Sequence, residues 1–406
     1  MNILLVNPPI YDFTAFDFWL RPYGLLRVGG KLRPFSLTTF DYLVSRDRDP
    51  YGRGRFDRRL CMKPGPFADI PRRFYRFGRD REDFYRLLTA QHFDVVLVQT
   101  VMTYWYLGVR EVIEDVRRLQ PAAKIILGGV YATLCTDHAR SLGADDVIAG
   151  LDLAPLGLPL ADGLPLWEST DAQVGVLKIT EGCPFRCTYC SVPVVSPNFF
   201  ARPTDACIEE LHYLARLGAR HVAFYDDALL FKPEQILLPF LDAVLRQDLR
   251  VSFHTPNALN ARFITPEIAR FMVRAGFKTF FLGFESSAYE WQRKTGGKVY
   301  SEEFAQAVRA LHDARAESVT AYIIIGHPDS SHQHLEASIR FAAQQGSRVM
   351  LSEFSPIPGT PDGEACRAYT DLDEPLNHNK TAFTYRRLGS DFANNLKALT
   401  RSLNRH

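Results

Sequence analysis

The run Glu181-Gly182-Cys183-Pro184-Phe185-Arg186-Cys187-Thr188-Tyr189-Cys190 restricts this chain more than any other stretch. Its C-x-x-x-C-x-x-C spacing offers one cysteine too few for a closed metal site. Iron–sulfur cubes are normally held by four thiolates. Three thiolates in one short loop leave one iron open to a small molecule. The preceding residues, Gly175 to Thr180, are apolar enough for a buried strand. A strand that feeds a reactive loop is how barrel enzymes present chemistry at strand C-termini. A structural zinc site would want four closed ligands in paired C-x-x-C units, and no second pair is present. A disulfide framework would want many cysteines in a short secreted chain; this chain has 7 in 406 residues. Cys61, Cys135, Cys207 and Cys366 are scattered and read as small buried hydrophobes.

A chain of 406 residues suggests two or three domains. Its net charge of +2 gives no global drive toward nucleic acid or membrane. The opening Met1–Pro9 run lacks the basic start and length of a secretion leader. No apolar stretch is long enough to span a bilayer. The expectation is a cytoplasmic protein without a membrane span, where thiols stay reduced.

Strand and helix patterns alternate twice along the chain. Residues 1–160 read as a doubly wound, mostly parallel Rossmann-like domain. Its strands are expected at Ile3–Val6, Leu37–Tyr42, Asp94–Gln99, Lys124–Leu127 and Asp146–Ile148. Helices are expected at Tyr23–Leu32, Leu107–Leu119 and Tyr131–Leu142. An arginine- and aromatic-rich insertion at about 45–86 interrupts it. That insertion reads as a solvated surface whose arginine stems cover aromatic faces; a nucleic-acid surface is the less favoured alternative. Gly150 to Thr170 reads as a linker. Over 171–355 the alternation restarts with six strands: Val176–Thr180, His221–Tyr225, Val251–His254, Thr279–Gly283, Thr320–Ile325 and Val349–Glu353. Six strand–helix units make three quarters of an eight-stranded barrel, so a partial (β/α)6 TIM-like barrel is expected. Residues 356–406 read as a C-terminal extension.

The cysteine run resembles the C-x-x-x-C-x-aromatic-C signature of the radical S-adenosylmethionine (radical SAM) superfamily. The resemblance implies that Cys183, Cys187 and Cys190 are both the metal ligands and the catalytic core of a [4Fe-4S] cluster site. They are expected as low-pKa thiolates. It implies reductive cleavage of S-adenosyl-L-methionine (SAM) to a 5′-deoxyadenosyl radical that abstracts hydrogen from a substrate. It also implies cofactor contacts at the strand ends. Tyr189 would lie near the adenine. Asp226 or Asp227 would accept from the methionine ammonium, although the family often has Gly-Gly-Glu there. Arg262 would pair with the SAM carboxylate or, as readily, form a surface salt bridge. Glu285 and Ser286 would bond the ribose, and Gly326 would let the backbone meet the adenine. An electron donor such as flavodoxin or ferredoxin would be a partner. The substrate, a small molecule, lipid or peptide, is not legible.

The N-terminal stretch resembles the cobalamin-binding domain that precedes many radical SAM cores. The resemblance is carried by Asn7-Pro8-Pro9, Arg21-Pro22-Tyr23-Gly24-Leu25-Leu26 and Gly128-Gly129-Val130-Tyr131-Ala132-Thr133. Gly128 and Gly129 would let a large cofactor approach the backbone. The loop after the first strand, Asn7 to Asp12, carries no histidine for cobalt. Cobalamin is therefore a candidate cofactor, and a degenerate domain that only buttresses the barrel is the alternative. With cobalamin, methyl transfer leads. Without it, radical oxidation, C–C bond formation or rearrangement leads. A nucleic-acid-binding iron–sulfur protein is the reading from another class.

Overall fold

The computed structural model describes residues 1–405. It divides into two compact units, 1–172 with 369–379, and 173–368 with 380–406. The stretch 356–406, expected as one extension, is thus shared between them. Asn379 Nδ2 donates to Asp12 Oδ1 at 3.0 Å, and the buried His378 bonds Thr103 at 2.9 Å. These bonds hold residues 369–379 in the first unit.

The first unit is built on five parallel strands: β1 (Asn2–Asn7), β2 (Ser36–Asp41), β3 (Val95–Thr100), β4 (Lys124–Gly129) and β5 (Asp146–Ile148). They lie in the order β5-β4-β3-β1-β2. Ile3, Leu4, Leu5 and Val6 are all buried, as a strand covered on both faces requires. Helices span Tyr23–Lys31, Arg81–Ala90 and Tyr106–Leu119. The single helix expected over Tyr131–Leu142 is two short ones, Val130–Leu134 and Thr136–Ser141. The break falls at Cys135, whose φ of -131° and ψ of 50° are not helical. The Gly150–Thr170 stretch is mostly exposed or half-buried, and its end is anchored by the buried Trp167. Trp167 stacks on Tyr23 with centroids 5.9 Å apart.

The insertion forms a small antiparallel ribbon in which Tyr75–Phe77 pairs with Ile10–Asp12 and with Arg58–Leu60. Many of its arginines are engaged internally. Arg76 meets the buried Glu111 at 2.6 Å and Arg81 meets the buried Asp115 at 2.5 Å. Arg58 and Arg79 lie 4.6 and 4.4 Å from the ring centroids of Tyr75 and Phe40. These contacts favour the solvated-insertion reading, because guanidinium planes already paired or stacked are poorly placed to grip phosphates.

The second unit is a six-stranded parallel sheet in sequential order: β6 (Val174–Leu177), β7 (His221–Phe224), β8 (Ser252–His254), β9 (Phe277–Glu285), β10 (Ser318–Ile325) and β11 (Arg348–Glu353). Helices alternate with the strands, as the sequence periodicity predicts. Phe224, Phe253 and Phe277 form a ring cluster against Phe240 of the helix Leu237–Arg246. All four are buried, and each contributes roughly 1.5–3 kcal/mol. The helix Ser390–Leu403 packs beside β11. Asn404 exchanges two hydrogen bonds with the Val349 backbone, at 2.8 and 2.9 Å, so part of the sheet edge is covered. Among the described residues no helix is long and apolar enough to cross a membrane.

The two glycines that end β4 differ in strictness. Gly129 has φ +112°, and a Cβ there would lie 2.2 Å from the Thr100 carbonyl oxygen. A Cβ on Gly128 would meet nothing within 4 Å. Gly129→Ala is expected to destabilise the first unit by about 1–3 kcal/mol. Gly128→Ala is expected to leave it nearly unchanged. Urea denaturation of both variants checks this.

Candidate functional site

The cysteine loop begins where β6 stops pairing. β6 ends at Leu177, although apolar residues continue to Ile179. The cause is Asp226, at the end of β7. Its Oδ1 accepts from the backbone N–H groups of Ile179 and Thr180 at 3.0 and 2.6 Å, and from Thr180 Oγ1 at 2.6 Å. Thr180 and Glu181 then pair antiparallel with Phe200 and Ala201. This two-rung ribbon closes the base of the loop that holds the cysteines. Gly182 has φ +70°, and a Cβ there would sit 2.4 Å from the Asn198 carbonyl oxygen, so the entry turn needs a glycine.

Cys183, Cys187 and Cys190 are all partly buried and unbridged. Burial pushes each thiol above its ordinary pKa, Cys190 to about 11. Burial thus favours the protonated thiols until a metal is ligated, and the thiolate is the form that ligates. Lys298 opposes the rise at all three positions. Burial disfavours the Lys298 ammonium, yet Glu285 and the three thiols outweigh that and raise its pKa. Lys298 Nζ lies 3.6 Å from Glu285 Oε1. The Gly296-Gly297-Lys298 turn is pressed on the cysteine loop, since a Cβ on Gly296 would come 3.2 Å from Cys187 Cα. Tyr189 stacks on Trp291 with centroids 6.0 Å apart and planes at 17°.

The other strand-end residues fare unevenly. Asp226 points its bonded oxygen at the strand end, and its buried Oδ2 has no partner. Asp227 and Glu181 share Lys178, at 3.5 and 2.8 Å. Glu285 is buried at φ +68°, beside a register shift in the β9–β10 pairing. Ser286 Oγ approaches Ser338 Oγ at 3.4 Å and accepts from Ala288 N–H at 3.2 Å. Two of the expected cofactor contacts are engaged within the protein. Arg262 donates to Glu303 at 2.9 Å and to the Gly297 carbonyl at 2.6 Å, the surface-pair alternative. Gly326 has φ +82° and is needed for close packing against Thr384, whose Oγ1 would lie 2.5 Å from a Cβ. Sequence reasoning missed Lys178, Glu181 and Lys298. Lys178 did carry a signal, a cation closing an otherwise apolar strand run. Lys298 carried none, because only the fold brings its turn to the cysteines.

Among the described residues no three His, Cys, Asp or Glu side chains converge on one point for a single ion. A cube distributes its ligands over different irons, so its thiolates need no common point.

Residues 177–342 match the Radical SAM superfamily. The matched span runs from the end of β6 through the cysteine loop to the helix His332–Gln344. The chain is 25% identical over 218 residues to an uncharacterized methyltransferase of Pyrococcus horikoshii, covering 52% of this chain and 44% of that one. It is 26% identical over 284 residues to the bacteriochlorophyllide d C-12(1)-methyltransferase of Chlorobaculum tepidum, covering 60% of each. The chain thus spans roughly half the length of these curated relatives. In fold it is similar to the radical SAM methyltransferase TsrM of Kitasatospora setae, solved with cobalamin and a [4Fe-4S] cluster. The TM-score is 0.66 at 15% identity, over 98% of this chain and 90% of that one. The cobalamin-dependent radical enzyme OxsB gives a TM-score of 0.59 at 12% identity, over 99% and 61%.

Asp226 carries a testable consequence. Burial raises its pKa from 3.8 to about 7, against hydrogen bonds and Lys178, which lower it. Between those pH values the native chain holds a proton that the unfolded chain has lost. Stability from this group is fully present below pH 3.8 and is lost as pH rises through about 7. Asp226→Asn is expected to flatten the fall in stability of the metal-free chain over that window, as read by denaturation at several pH values.

Proposed function

We propose that this protein is a cobalamin-dependent radical SAM methyltransferase. Cys183, Cys187 and Cys190 would hold a [4Fe-4S] cluster, with SAM at the iron they leave unligated. The observation that carries this is three partly buried thiols in one loop at a barrel strand end, with the Lys298 ammonium acting on all of them. When bound, the cluster supplies an electron to the SAM sulfonium and the corrinoid a carrier for the methyl group.

The chain's own residues do the rest. The thiols must lose protons to ligate iron, so loading releases protons and is favoured by higher pH. Lys298 stabilises the thiolates that result and is itself held by Glu285. Asp227 shares Lys178 with Glu181 and is the carboxylate we assign to the SAM ammonium. Asp226 acts on the same site by fixing where the loop starts, and its unpartnered Oδ2 can accept a donor from the ligand. Tyr189, backed by Trp291, supplies an aromatic wall for the adenine. Glu285 and Ser286 offer acceptors to ribose hydroxyls.

The first unit fits a corrinoid in one respect and sets a condition in another. Gly128 has open space where a side chain would stand, at the carboxyl edge of a parallel sheet, where such folds bind ligands. The loop from Asn7 to Asp12 has no histidine, so cobalt would receive no imidazole from it. The methyl acceptor is one that the electron chemistry of SAM is needed to activate, such as an unactivated carbon or phosphorus.

Reconstituted without oxygen, the protein is expected to take up one four-iron cluster and to consume SAM when reduced. Cys187→Ala is expected to abolish both. Hydroxocobalamin is expected to remain with the protein through dialysis, and Gly128→Leu to weaken its retention. Full SAM consumption by Cys187→Ala overturns the cluster assignment; no corrinoid retention overturns the methyl-transfer reading alone.

A further inference from the structure

A chain of polar side chains joins loops that follow opposite edges of the six-stranded sheet. β6 and β11 are those edges, and they do not pair with each other. Thr188, between Cys187 and Cys190, belongs to the loop after β6. Asp362 belongs to the helix Pro361–Ala365, after β11. Thr188 Oγ1 donates to Asp362 Oδ2 at 2.6 Å, and Asp362 N–H donates to the Thr188 carbonyl at 3.1 Å. Two bonds in opposite directions thus tie the cysteine loop to the far edge.

The same carboxylate oxygen accepts from His327, in the loop after β10, at 2.9 Å. The histidine tautomer follows from its other nitrogen. Nδ1 accepts from Trp291 Nε1 at 3.3 Å and from Asp329 N–H at 3.1 Å. With Nδ1 an acceptor, the proton sits on Nε2 and points at Asp362. His327 is only 2% exposed, so these bonds are shielded from water. Trp291, the donor to His327, is also the ring on which Tyr189 stacks. Thr188 and Tyr189, neighbours in the loop, are therefore held by one network.

We propose that His327 and Asp362 are positioning residues that lock the cysteine loop across the unpaired edges of the barrel sheet. This rests on the reading that Cys183, Cys187 and Cys190 hold an iron–sulfur cluster. A loop with three ligands and no fourth protein ligand has fewer internal restraints than a closed site. The outer bonds of Thr188 supply the missing restraint, as partners behind metal ligands do elsewhere.

Thr188→Val removes one donor at nearly constant volume, and Thr188→Ser keeps it. His327→Phe removes the inner bonds. Each chain is reconstituted without oxygen, and two properties are read: the rate of iron loss to a chelator, and the paramagnetic resonance spectrum of the reduced cluster. Thr188→Val and His327→Phe are expected to lose iron roughly 10- to 100-fold faster and to give a broadened spectrum. Thr188→Ser is expected to match the parent. Metal-free Thr188→Val is expected to unfold at the parent's temperature, which separates loop positioning from general stability. A Thr188→Val chain with the parent's release rate and spectrum overturns the proposal, as does a Thr188→Ser chain that fails equally. A parent that takes up no cluster overturns the cysteine assignment itself, before any variant is compared.

Discussion

One carboxylate oxygen decides where the chemistry of this chain begins. Asp226 Oδ1 takes three donors from Ile179 and Thr180 and pulls the backbone out of the β6 pairing two residues before the apolar run ends. The chain then enters the Thr180–Glu181 ribbon, turns at Gly182 and presents three thiols at the strand end. The arrangement carries an energetic tension. A buried carboxylate with one unpartnered oxygen favours its protonated form, against the hydrogen bonds by which it shapes the loop.

The charge balance of the site follows from burial. Three thiols in a partly dry loop resist ionisation, and three thiolates there would repel one another. Lys298 is the cation that offsets both effects, and Glu285 keeps that cation in place. Glu285 in turn adopts a left-handed backbone conformation, uncommon for a non-glycine residue, at a register shift in its strand. Local strain at β9 and thiol ionisation after β6 are thus linked through one ammonium group.

Much of this was legible in the sequence. The six barrel strands follow from apolar runs at regular spacing. The cysteine loop follows from a spacing that neither a closed zinc site nor a disulfide framework would use. Position at a strand end identified Asp226, Asp227 and Glu285 as candidates, but not what each touches. Gly326 shows the limit: its glycine is required, and the requirement comes from Thr384, more than fifty residues away. Arg262 shows another, since its partner Glu303 lies on a helix that local periodicity could predict but not place. Lys298 was invisible because nothing in a Gly-Gly-Lys turn indicates which loop it will cover. The C-terminal stretch reads as one extension in the sequence, which cannot show that residues 369–379 bond to the first unit while those after them cover β11.

The central claim is that three thiolates leave one iron of a cluster without a protein ligand. Mössbauer spectroscopy of the protein reconstituted with isotope-enriched iron, recorded before and after SAM is added, tests it directly. One of the four iron sites is expected to change its isomer shift on adding SAM while the other three stay put. A spectrum in which no site responds, or in which the cluster already shows four equivalent protein-ligated irons, would contradict it.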